Sequence, residues 1–231
     1  MKTIGLIGGM GWQSSKLYYE YINQQTNALL GRSHIAKSIM VTVDFDEIEQ
    51  LTVKGDWEAI GAIMKKSAQQ LERAGADIVV LCTNLIHLVS DYIKENVNIP
   101  FLHIAEATGE KIQAQGLKKV ALLGTKFTME MDFYTKILKE VYGVEVVIPE
   151  EADRQIIHTM IYTELLKGQF SESSKQTIKD IIIKLQKQGA QGVVMACTEL
   201  SILVPDGEVT LPTFDTGKIH AHKAVAWANE R

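Results

Sequence analysis

The stretch LERAGADIVVLCTN, residues 71–84, lies without a gap on LQKQGAQGVVMACT, residues 185–198, at a constant offset of 114 positions. Two further segments repeat in the same order at nearly that spacing: IGLIGG (4–9) against VALLGT (120–125), and IPFLH (99–103) against LPTFD (211–215). Three matches in one order mark a duplicated supersecondary unit. Within each copy, short β-branched runs alternate with amphipathic stretches. The pattern predicts strands over 2–7, 38–44 and 77–81 with helices over 12–29, 57–74 and 84–94 in the first copy. In the second it predicts strands over 120–123, 144–148 and 192–196 with helices over 127–141, 153–166 and 171–188. Such alternation implies parallel sheets, so the fold class expected is α/β, with two pseudo-symmetric doubly wound domains. The third match puts the crossovers near Pro100 and Pro212, giving domains of 1–99 plus 212–231 and of 100–211, with a last helix over 216–229 packed back on the first. One continuous doubly wound sheet is the alternative.

At 231 residues the chain can bury one large core or two modest ones. Apolar residues make up 46% and charged residues 23%, the usage of a globular protein. The net charge of -4 comes from mixed charges without a long single-sign block, so nucleic acid is not an expected partner. No apolar run has the length of a signal-peptide core or a membrane span; a cytoplasmic protein without a membrane partner is expected. The two cysteines, Cys82 and Cys197, lie far apart at strand-like runs, against a disulfide framework or a four-ligand zinc site. No metal is expected, and a cysteine that matters does so as a thiol.

Ligands of open parallel sheets bind beyond the carboxyl ends of the strands. The third strand of each copy ends in LCTN (81–84) and ACTE (196–199), and the repeat pairs Thr83 with Cys197 while pairing Cys82 with Ala196. Side chains alternate along a strand, so this one-residue shift separates a cleft-facing group from a core group. Cys82 reads as core. Cys197 is expected just after its strand and before a helix, where the dipole and free N–H groups favour thiolate and a modest downward shift from about 8.5 would make it a useful base; a small buried hydrophobe is the other reading.

These motifs resemble those of the aspartate/glutamate racemases. The family's C-N-T-x-H falls on Thr83, Asn84, Leu85, Ile86 and His87, its C-T-E on Cys197, Thr198 and Glu199, and LIGGMGWQSS (6–15) resembles its N-terminal loop. PFLHIAEATG (100–109), LLGT (122–125) and FDT (214–216) extend the likeness over essentially the whole chain. Thr83 stands where the first catalytic Cys is usual and Leu85 where Thr is usual; some members pair a Thr with a Cys in this way. The resemblance implies an active site in the cleft between two domains, with α-proton abstraction and return between Cys197 and Thr83. It also implies an amino-acid substrate, no pyridoxal phosphate or other cofactor, and a homodimer. Asn84, Thr198 and the backbone N–H groups beside them are expected at the α-carboxylate. Lys54, in the loop after the second strand, and Lys167 are candidates for a distal carboxylate, with a solvated surface role as the alternative. Thr52 would add a hydrogen bond, and Met10 and Leu85 would border the substrate. Glu199 and His87 could tune the adjacent acid/base group, or cap a helix or fill the core.

Other readings remain open. A non-catalytic sensor of acidic amino acids would suit the missing first thiol, and a decarboxylase or isomerase of the same superfold would suit one-sided proton delivery. A dinucleotide site is suggested by Gly9, Gly11 and Ser14, although Asp44 lies too far on to be its ribose-binding acid.

Overall fold

The computed structural model describes residues 1–230. Contacts divide the chain into two compact units, Met1–Ile104 with His220 onward, and Ala105–Ile219. The first opens with β1 (Ile4–Gly8), α1 (Trp12–Leu30), β2 (Ser38–Thr42), α2 (Phe45–Lys54), α3 (Trp57–Arg73) and β3 (Ile78–Leu81). A 3-10 turn (Leu85–Val89), the single-turn helix α4 (Asp91–Lys94) and β4 (Phe101–Leu102) complete it. The four strands are parallel, in the order β2, β1, β3, β4.

Strands β1 and β3 are buried throughout, with alternate side chains feeding two cores. Ile4, Leu6, Ile78, Val80 and Cys82 meet Tyr18 and Ile22 of α1. Ile7, Val79 and Leu81 meet Ile60, Met64, Ala68 and Leu71 of α3. Helices on both faces are why these strands read as unbroken apolar runs. Each fully buried Leu, Ile or Met contributes roughly 1.5–3 kcal/mol, so packing, more than helix propensity, holds α3 in place.

Helix α5 (Ile104–Ala114) leads into the second unit: β5 (Lys119–Leu123), α6 (Lys126–Glu130), α7 (Asp132–Glu140), β6 (Glu145–Val147) and α8 (Glu151–Thr163). A 3-10 turn (Leu165–Lys167), α9 (Glu172–Lys187), β7 (Val193–Met195), α10 (Thr198–Leu203) and β8 (Thr213–Asp215) follow. The order β6, β5, β7, β8, again all parallel, duplicates that of the first sheet. Ala121, Leu123, Val193 and Met195 pack with Ile157 and Ile161 of α8 and Ile178, Ile182 and Leu185 of α9. The alternate set, Val120, Leu122 and Val194, is equally buried. Helix α11 (Thr216–Asn229) adds Ala221, Ala224, Val225 and Ala228 to the core that holds Leu6 and Tyr18.

The duplication extends to strand register. Ile7 pairs with Leu81 as Leu123 pairs with Met195, and Val79 with Phe101 as Val193 with Thr213. Because β4 bonds to β3 and β8 to β7, the chain leaves each unit a few residues past Pro100 and Pro212, at Ile104 and Ile219.

Three local expectations are corrected. The segment holding Thr52 and Lys54 is a helix and not a loop. Asp44 caps α2 by accepting from the Asp46 N–H at 3.2 Å, and Gly55 ends it in the left-handed region. The helix expected over 84–94 is a 3-10 turn followed by α4, with Ser90 donating to the His87 carbonyl three residues back. The helix expected over 127–141 breaks at Met131, whose backbone is extended.

The turn after β1 depends on Gly9. Its φ is +97°, and a Cβ there would lie 2.1 Å from the Val43 carbonyl oxygen. Gly55 has φ +70° but open space around it. Gly9→Ala should therefore destabilise the chain by more than about 3 kcal/mol, and Gly55→Ala by only about 1 kcal/mol. Urea unfolding midpoints of the two variants check the contrast, which vanishes if backbone conformation alone matters.

Candidate active site

At the end of β3, the Cys82 N–H donates to the Ile7 carbonyl at 2.9 Å; at the end of β7, the Ala196 N–H donates to the Leu123 carbonyl at 2.7 Å. These bonds make Cys82 equivalent to Ala196, and so Thr83 equivalent to Cys197. Cys82 is fully buried in the α1-side core, and burial pushes its thiol far up from the ordinary range. Thr83 and Cys197, one residue on, are each half-buried.

In the first unit Thr83 enters the 3-10 turn through Asn84, which is 8% exposed and helical in backbone. The Asn84 carbonyl accepts from the His87 N–H at 3.1 Å and from His87 Nδ1 at 3.2 Å. A carbonyl can only accept, so the His87 proton sits on Nδ1; the buried Nε2 has no hydrogen-bond partner among the described residues. Met10 is buried in the core beneath α3, and Leu85 packs partly against the same cluster. Thr52 is buried with its hydroxyl donated to the Ile48 carbonyl at 2.8 Å, while Lys54 is exposed in the last turn of α2.

His87 belongs to a group that the local sequence does not mark. The rings of His87 and His103 lie 4.8 Å apart and those of His87 and His220 5.5 Å apart, all three side chains being buried. His220 Nε2 donates to the Leu102 carbonyl at 3.0 Å, leaving Nδ1 to accept from the Tyr18 hydroxyl at 2.8 Å. Thr83 and Asn84 thus rest on a neutral imidazole cluster formed from segments distant in sequence.

In the second unit Cys197 has an extended backbone and precedes α10. Its Sγ donates to Glu199 Oε2 at 3.1 Å, and the Thr198 hydroxyl donates to the same oxygen at 2.8 Å. Glu199 is 5% exposed and Thr198 7%. Burial is the largest influence on the thiol and pushes it up; the Glu199 carboxylate pushes the same way, and the N–H groups of Glu199 and Leu200 oppose both. The net direction is well above the ordinary cysteine range, which overturns the expected lowering. A six-residue helix is too short to outweigh desolvation and an adjacent carboxylate. The resting group is a protonated thiol. Lys167 is exposed at the end of the 3-10 turn, before Gly168.

The histidine cluster sets a pH dependence. Burial lowers His103 to about 3 and His220 to about 4, and burial with the two neighbouring rings holds His87 well below the ordinary value. Unfolded histidines titrate near about 6.5, so the stability these groups contribute is complete above that pH and is lost as pH falls toward the folded values. Between pH 7 and pH 5 the unfolding free energy should drop by roughly 2 kcal/mol per histidine. His103→Gln should flatten the dependence by about a third; an unchanged slope in urea titrations would exclude the cluster as its source.

Residues 7–224 match the model of the family described as Asp/Glu/Hydantoin racemase. The broad specificity amino-acid racemase RacX of Bacillus subtilis (strain 168) is 26% identical, over 96% of each chain. Two solved structures match over the full length of both chains: one from Yersinia pestis assigned to the Asp/Glu racemases, at 45% identity and TM-score 0.94, and an aspartate racemase homologue from Pyrococcus horikoshii OT3, at 35% identity and TM-score 0.89.

Proposed function

Because the chain belongs to the Asp/Glu/Hydantoin racemase family, and so to the isomerases, we propose that it interconverts the enantiomers of aspartate and/or glutamate through Cys197 and Thr83. The observation that carries this reading is the equivalence of the two residues: each follows the same register-matched strand end in its own copy of the repeat, and each is half-buried at the start of a helical turn. Two proton-carrying groups at corresponding points of a duplicated fold suit a reaction whose two halves are mirror images. One takes the α-proton from one face of the amino acid, and the other returns a proton to the opposite face.

The protein stabilises the carbanion without a cofactor in this mechanism. The α-carboxylate is held by Asn84, Thr198 and the N–H groups beside them. Lys54 and Lys167 serve the distal carboxylate, both exposed lysines at the ends of helical turns. Thr52 donates its hydroxyl proton to the Ile48 carbonyl in this structure, and turning that proton outward is what would let it add a hydrogen bond to the same carboxylate. Met10 and Leu85 shape the apolar border from their shared cluster. A working thiol suits a reducing compartment, so we place the enzyme in the cytoplasm. We read the assembly as a homodimer, supported by the exposed Trp12 and Tyr19, two turns apart on α1.

Each enantiomer of aspartate, glutamate and a neutral amino acid, incubated in D2O, tests the reading by the α-proton signal and optical rotation. Exchange with loss of optical purity on an acidic amino acid is expected, falling at least about a hundredfold in Cys197→Ala. Thr83→Ala should leave exchange on one enantiomer but abolish racemisation. An equilibrium constant of one requires equal kcat/KM in the two directions, so the poorer acidity of a hydroxyl shows only in the separate kcat and KM values. Binding without exchange would instead indicate a sensor.

A further inference from the structure

The thiol that must act as a base on one enantiomer rests as an acid, hydrogen-bonded to a carboxylate. We propose that Glu199 is a positioning residue that holds the Cys197 proton, so that thiol and carboxylate share one exchangeable proton. This rests on the racemase reading and supplies the half-reaction it leaves open.

Three features carry the argument. Glu199 Oε2 accepts from Cys197 Sγ and from the Thr198 hydroxyl, so one oxygen is fixed beside the sulfur by two donors. The side chain is 5% exposed and has no ion-pair partner among the described residues. A buried carboxylate without a cation depends on its hydrogen-bond donors, and the Cys197 thiol is one of the two it has among the described residues. The sulfur otherwise borders the apolar cluster of α8, α9 and α10, in which Tyr162 is the other titratable member. Glu199 is the charged group that acts on the thiol.

The proton transfers balance. The S–H bond of Cys197 breaks and an O–H bond forms on Glu199 Oε2, leaving thiolate and carboxylic acid. The thiolate then takes the α-proton: the Cα–H bond breaks, its electron pair stays on the substrate, and S–H reforms. The carbanion is protonated on its other face by the Thr83 hydroxyl, which regains a proton from water as Glu199 releases one. In the opposite direction the thiol protonates the carbanion and is refilled by the same route reversed.

Glu199→Gln separates this role from a packing role because it moves two readouts oppositely. Removing the anion makes the thiolate easier to form, so iodoacetamide should alkylate Cys197, located by peptide mass, with a pH midpoint at least about one unit lower than in the wild type. α-Proton exchange should nevertheless slow by at least about tenfold in both directions, with the heat-unfolding midpoint near the wild-type value. Exchange within twofold of wild type, or an alkylation midpoint unchanged or raised, overturns the proposal. If Glu199→Gln does not fold, Glu199→Asp withdraws the carboxylate from the sulfur while keeping its charge. Slower exchange with a lowered alkylation midpoint supports the role, and no change in either excludes it. A wild-type chain that exchanges no amino acid would defeat the racemase reading separately, and the alkylation arm would still decide whether the carboxylate controls the thiol.

Discussion

One backbone hydrogen bond past the end of the third strand, made once in each unit, organises both halves of this molecule. The Cys82 N–H reaches the Ile7 carbonyl, and the Ala196 N–H reaches the Leu123 carbonyl. Each bond extends a parallel ladder whose strands are buried on both faces, where a slip of one residue would exchange core side chains between faces. The ladder therefore determines which residue is the last to belong to the sheet and which is the first to leave it. Cys82 falls on one side of that limit and Thr83 and Cys197 on the other.

The groups that leave the sheet rest on buried polar clusters of opposite character. Beneath Thr83 and Asn84 lie three imidazoles kept neutral by burial and by one another, bonded to carbonyls and to a tyrosine hydroxyl. Beside Cys197 lies a carboxylate whose partners are a thiol and a hydroxyl. Low local polarity strengthens each of these bonds and makes each unpaired group costly. The two halves of a duplicated fold have in this way become chemically unequal, a hydroxyl in one and a thiol in the other, while their backbones retain the same register. For a reaction between mirror images, the inequality can partition between binding and turnover without altering the balance point.

Much of this was legible in the order of residues. The repeat, the alternation of strand and helix, the parallel sheets and the pairing of Thr83 with Cys197 all follow from patterns of period two, period 3.6 and one long offset, which survive because burial on both sheet faces constrains every apolar position. Helix α2 was legible in principle, from Asp44 as cap and Gly55 as terminator, but its four apolar residues, Phe45, Ile48, Leu51 and the off-face Val53, made a weak period. The breaks at Met131 and Ser90 had no such sign, because single backbone conformations are settled by what packs around them.

The sequence by itself determined the duplicated α/β architecture, the family resemblance and the strand-end residues, since these depend on periodicity and on residues adjacent in the chain. Only the tertiary structure decided the protonation of those residues and what they rest on. Cys197 at a helix start reads as a thiolate until burial and the Glu199 carboxylate are added, and these outweigh the first-turn dipole. His87, His103 and His220 become one cluster only when β4 and α11 are folded against the turn after β3. Desolvation is a property of the surroundings in space, and those surroundings come from segments that a linear reading keeps apart.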